Sequence, residues 1–129
     1  MLLLNNLYTI VAKDIAGNQI SYDIKLDATH FIYQAHFPNE PITPGVCIIQ
    51  ITKELLEDFL TKKMDINQIK NVKFLSVISP ITTPQLSCIF DKITPDEYSD
   101  TFRVQAHLQS DDNPLAKLSF TCKCHDGKQ

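Results

Sequence analysis

Residues 36–50 read HFPNEPITPGVCIIQ, and the fold turns on how this stretch is taken. Its first ten residues hold one histidine, three prolines and one of the chain's three glycines. Pro38, Pro41 and Pro44 lack an amide donor and push the residues before them toward extended geometry, so 37–44 reads as a stiff loop. Behind the loop the pattern turns helical. From Gly45 to about Lys62 there is no proline, and Ile51, Leu55, Leu56, Phe59 and Leu60 recur at three-and-four spacing among Lys53, Glu54, Glu57, Asp58 and Lys62. The second half of this helix is amphipathic. The first half, Val46 to Ile51, is apolar almost all the way round, as a helix can be only where protein surrounds it. The helix is expected to start inside the molecule and end at its surface, with Gln50 the one polar side chain in the buried half.

Upstream, residues 7–13 and 19–26 are rich in β-branched and aromatic residues, and Gly17-Asn18 between them has the chemistry of a hairpin turn. Residues 27–35 read as a short helical turn or loop started by Asp27 and carrying Phe31, Ile32 and Tyr33 inward. Downstream, 69–79, 84–94, 100–109 and 115–124 read as four strands separated by Pro- and Asp-containing turns. In the third, Phe102, Val104, Ala106 and Leu108 alternate with Arg103, Gln105 and His107, which places His107 toward solvent. Two strands, one long helix and four strands joined by short connections give an α+β class. The expected arrangement is an antiparallel sheet wrapped around the helix, with a helix lying across an open sheet as the alternative.

Length and composition agree with this. The 129 residues, 43% hydrophobic, suit a single domain over 1–129 with one continuous core. A formal charge of −3, with no basic block, argues against a nucleic-acid partner. Met1-Leu2-Leu3-Leu4 is too short for a signal-peptide core of about 7 to 15 residues or a membrane helix of about 20, so a soluble, cytoplasmic protein is expected. Four cysteines in such a chain read as free thiols. Cys122-Lys123-Cys124-His125 lacks a second ligand pair at zinc spacing, so no metal site is expected.

The segment His36-Phe37-Pro38-x-x-Pro41-Ile42-x-Pro44-Gly45-Val46 before an apolar helix resembles the signature of hotdog-fold β-hydroxyacyl-(acyl carrier protein) dehydratases. These are lyases of fatty-acid and related polyketide or lipid synthesis. The hairpin before it, the helix after it and KFLSVISPITTPQL at residues 73–86 match the family's layout more loosely. The resemblance implies a homodimer with sites at the subunit interface and a 3-hydroxyacyl thioester on the phosphopantetheine arm of an acyl carrier protein. It implies no metal and no dissociable cofactor, and the short apolar start predicts no membrane partner. His36 matches the catalytic histidine, Gly45 and Val46 the helix start whose amides face the thioester carbonyl, and Gln50 the position of the catalytic Glu or Asp. Phe37, Pro44, Val46, Ile49 and Phe74 are the candidate substrate-binding walls.

Dehydration across C2–C3 requires a base for the C2 proton, stabilisation of the enolate-like thioester oxygen, and an acid for the departing hydroxyl. An imidazole supplies the first and helix N-terminal amides the second, while the prolines stiffen the loop and Gly45 allows close approach to the backbone. Gln50 has no proton to give hydroxide, so His36 would handle both protons, or Glu54 or Glu40 would serve as acid. Alternatively the protein would hydrolyse thioesters, or bind them without turnover as a subunit of a biosynthetic complex. Apart from such a role, Glu54 is expected to be solvated, Glu40 exposed and Cys47 buried core.

Overall fold

The computed structural model describes residues 2–35 and 39–125. Six strands and two helices follow in the order β1 (Tyr8–Ala16), β2 (Gln19–Leu26), α1 (Phe31–Ala35), α2 (Gly45–Leu60), β3 (Met64–Phe74), β4 (Gln85–Pro95), β5 (Thr101–Ser110) and β6 (Asn113–Cys124). The strands form one sheet in the order β1-β2-β4-β5-β6-β3, and every neighbouring pair is antiparallel.

Alternation along the strands produces the two faces. Ile20, Tyr22, Ile24 and Leu26 of β2, Leu86, Cys88 and Phe90 of β4, Val104, Ala106 and Leu108 of β5, and Leu118, Phe120 and Cys122 of β6 are all buried. They join Cys47, Ile48, Ile51, Leu55 and Leu56 of α2 in one core, so the helix lies against this face. Hydrogen-bonded register runs one inward row straight across the sheet, Tyr22–Cys88–Leu108–Ala116–Phe74, and so carries Phe74 to the helix side at the end of β3. The tight turns are the ones the sequence marks. Gly17 takes φ +63° between β1 and β2, and Asp111 and Asp112 take φ +49° and +67° between β5 and β6.

Several boundaries differ from the sequence reading, three of them for a local reason. The helix stops at Leu60, because Thr61 adopts a left-handed φ of 54° and returns its N–H to Glu57 O. β1 runs to Ala16 rather than Lys13, paired with β2 up to the turn. The third strand spans 64–74, not 69–79. Met64 N donates to Glu57 Oε2 at 2.8 Å and its side chain is buried, which starts the strand immediately after the helix. β3 pairs with β6 from Met64↔Cys124 to Phe74↔Ala116. Just beyond lies Pro114, which has no amide to offer a longer ladder. The chain then leaves the sheet: Leu75 N and Ser76 N both donate to Leu115 O, at 2.8 and 3.2 Å. Residues 75–78 thereby reach the start of α2, where Ile78 O accepts the N–H of Thr43 at 2.8 Å.

Candidate functional site

The N-terminus of α2 is built to leave backbone donors available. Pro44 is the N-cap, in extended geometry at φ −61° and ψ 147°, and its ring cannot accept a hydrogen bond as Ser or Asp would. Cys47 N and Ile48 N turn back to Pro44 O at 2.9 and 3.2 Å. Among the described residues, the amides of Gly45 and Val46 have no protein partner. The first turn holds no acidic side chain, so the positive end of the helix dipole is not neutralised locally. The incoming loop is pinned from below, where the buried Tyr33 hydroxyl and Thr43 Oγ1 lie 3.0 Å apart.

Beside this terminus lies a cleft of about 360 Å³ lined by Ile42, Thr43, Gly45, Ile48 and residues 74–78. Its walls are mainly apolar. Gly45 and Phe74 meet here closely. A Cβ built on Gly45 would stand 2.8 Å from Phe74 Cζ, so the missing side chain is used first by the phenyl ring. Phe74 is 49% exposed.

One turn further along α2, half-buried Gln50 donates from Nε2 to Glu54 Oε2 at 2.8 Å. Glu54 is not the solvated residue its charged neighbours suggested: it is only 4% exposed. Its Oε2 also accepts Leu3 N at 2.8 Å, and its Oε1 accepts Leu4 N at 2.8 Å and the Tyr8 hydroxyl at 3.0 Å. A carboxylate has about four lone-pair sites. All of them meet protein donors, which leaves Glu54 badly placed to act as the missing acid. Burial and the adjacent carboxylate push the Tyr8 hydroxyl pKa far up, so it stays a donor.

The proposed site residues thus divide. His36 and Phe37 lie outside the described residues. Gly45 and Phe74 share the cleft, and Pro44 caps the helix beside it. Val46 is 71% exposed and Ile49 is partly buried against the core; neither lines the cleft. Ile48, Val77 and Ile78 were not singled out from sequence, although Ile48 at three residues from Gly45 carried a usable signal. Glu40 is exposed and Cys47 is buried, as expected. Burial raises the Cys47 thiol pKa, which disfavours a nucleophilic role. Phe31 is exposed rather than inward, because a five-residue helix buries one narrow side and Tyr33 occupies it. His107 and His125 pair with Asp91 and Asp65 at 2.6 and 2.7 Å, contacts that no local pattern announces. Among the described residues no three His, Cys, Asp or Glu side chains converge as metal ligands. Nor is any described helix long and apolar enough to cross a membrane.

Comparison with known proteins identifies the family and the fold. The family described as ApeI-like, ApeI dehydratase, matches residues 12–128. No curated protein matches the chain. Among solved structures, the dehydratase heterocomplex ApeI:P from Xenorhabdus doucetiae contains a similar chain. It is 21% identical, with 90% of this chain and 96% of that chain covered and a TM-score of 0.65. A putative thioesterase from Shewanella oneidensis is 10% identical over 94% of this chain and 85% of its own, with a TM-score of 0.57. A thioesterase from Haemophilus influenzae is 10% identical over 97% and 83%, with a TM-score of 0.59. At these identities the structural likeness carries the fold, an antiparallel hotdog sheet packed on one long helix.

Proposed function

The chain belongs to the ApeI-like dehydratase family, and on that premise we propose that it dehydrates 3-hydroxyacyl thioesters carried on the phosphopantetheine arm of an acyl carrier protein. The observation that carries the reading is the uncapped start of α2, whose Gly45 and Val46 amides lie beside an apolar cleft. A thioester oxygen set on those amides gains charge as the C2 proton leaves, where two backbone donors and the helix dipole stabilise it most. The acyl chain would lie against Ile42, Ile48, Phe74 and Ile78.

His36 supplies the base. Its neutral imidazole takes the C2 proton, and the C2–H electron pair moves to the enolate. Collapse of the enolate forms the C2–C3 double bond and expels the C3 hydroxyl, which takes the proton from the imidazolium and leaves as water. One histidine serving in both directions fits a site whose residue 50 is an amide. Gln50 then orients the hydroxyl by hydrogen bonding. A homodimer of single-domain subunits fits the exposed apolar side chains around the helix start, Val46, Leu75 and Val77, which a second copy would cover.

Thioester hydrolysis is the second reading, favoured by the same Gln50, since an amide can hold a water as well as a hydroxyl. The two separate by product. With 3-hydroxybutyryl-carrier protein, dehydration raises the enoyl-thioester absorbance and releases no thiol, whereas hydrolysis releases thiol with no absorbance gain. Binding without either change would reduce the protein to an acyl-thioester-binding subunit.

A further inference from the structure

Glu54 sits one turn beyond the residue that would be the acid, and its buried carboxylate is filled by the N–H groups of Leu3 and Leu4, the Tyr8 hydroxyl and the Gln50 amide. The first two donors are backbone and cannot reverse roles. The third is a hydroxyl that burial keeps protonated. The carboxylate is therefore an acceptor on all sides, and only the NH2 end of Gln50 can face it. We propose that Glu54 is a positioning residue that fixes Gln50 with Nε2 toward the protein and Oε1 turned away from Glu54. Gln50 thereby serves the reaction as the acceptor of the substrate's 3-hydroxyl proton and not as a donor to it. This rests on the dehydratase reading.

The assignment gives the glutamine a definite task. An amide free to flip would offer the hydroxyl a donor as readily as an acceptor. Held by Glu54, it offers a carbonyl oxygen, which aligns the hydroxyl while His36 handles the protons. The clamp reaches beyond the helix, because Leu3 and Leu4 bring the chain's first residues onto the same carboxylate.

The test substitutes Glu54→Gln, which keeps size but lets residue 54 either donate or accept. In 15N-labelled protein, the Gln50 side-chain NH2 pair is identified by its loss in Gln50→Leu. One of its protons should be shifted downfield and slow to exchange in wild type, and both features should vanish in Glu54→Gln. With 3-hydroxybutyryl thioester, Glu54→Gln should lower kcat about tenfold while KM stays within about twofold. Leu56→Val, a buried change on the same helix outside this network, should lower Tm and leave kcat unchanged. Unaltered Gln50 NH2 signals in Glu54→Gln would overturn the proposal, as would a kcat loss no larger than that of Leu56→Val. If wild type forms no enoyl product, the dehydratase reading falls, while the NH2 signals still decide whether Glu54 holds Gln50.

Discussion

At Gly45 two demands meet on one atom that is not there. The phenyl ring of Phe74 occupies the space a Cβ would take, at 2.8 Å, and the same bare backbone edges the cleft. In Gly45→Ala the partly exposed ring, itself a wall of the cleft, must shift to admit the methyl group. The expected result is little change in Tm and a fall in kcat/KM of about tenfold or more, because small misplacements at a reacting centre are costly. A large loss of Tm with unchanged activity would show that the glycine serves packing alone. Gly45 and Gln50 were both visible in the sequence, the first from its place after three prolines and the second as a polar break in an apolar run. Their partners were not. Phe74 reaches Gly45 through strand register, and Leu3, Leu4 and Tyr8 reach Glu54 across about fifty residues of chain, which no local pattern encodes.

The elements were more legible than the contacts between them. The alternation in β2 and β5 and the three-and-four spacing of α2 correspond directly to the buried rows observed. The sequence pattern sets β3 five residues too late because apolar character runs on through Leu75 and Val77, which line the cleft beyond the strand, while the strand itself begins in polar-looking sequence at Met64-Asp65. What decides the strand is its partner β6, which begins at Asn113-Pro114, so the ladder closes at Phe74↔Ala116. The same scale holds a test of the link between β1 and α2. Tyr8→Phe removes one of four donors to Glu54 and should cost about 1 kcal/mol. Glu54→Leu strands all four donors in a buried setting and should cost about 3 kcal/mol or more. Urea denaturation measures both; equal, small losses would mean that water takes over the carboxylate's role.

For the whole molecule, burial of three of its four cysteines sets a pH limit on stability. Desolvation pushes the Cys88 thiol up to about 12 and Cys122 to about 11, from an ordinary value of 9.0. Folded thiols therefore hold their protons where unfolded ones have lost them. Their contribution is fully present below pH 9 and is lost as pH rises toward 11 and 12. Thermal melts should show Tm falling above about pH 9, and a thiol reagent at pH 8 should find Cys124 readily and the other three only on unfolding. The assembled molecule is expected to convert a 3-hydroxyacyl thioester to its enoyl product. The direct measurement is the enoyl-thioester absorbance formed from 3-hydroxybutyryl-carrier protein by wild type and by His36→Ala, with thiol release followed in parallel. Wild type should form enoyl product without releasing thiol, and His36→Ala should be slower by about a hundredfold or more. Equal rates in the two proteins, or thiol release without enoyl product, would rule out dehydration by His36.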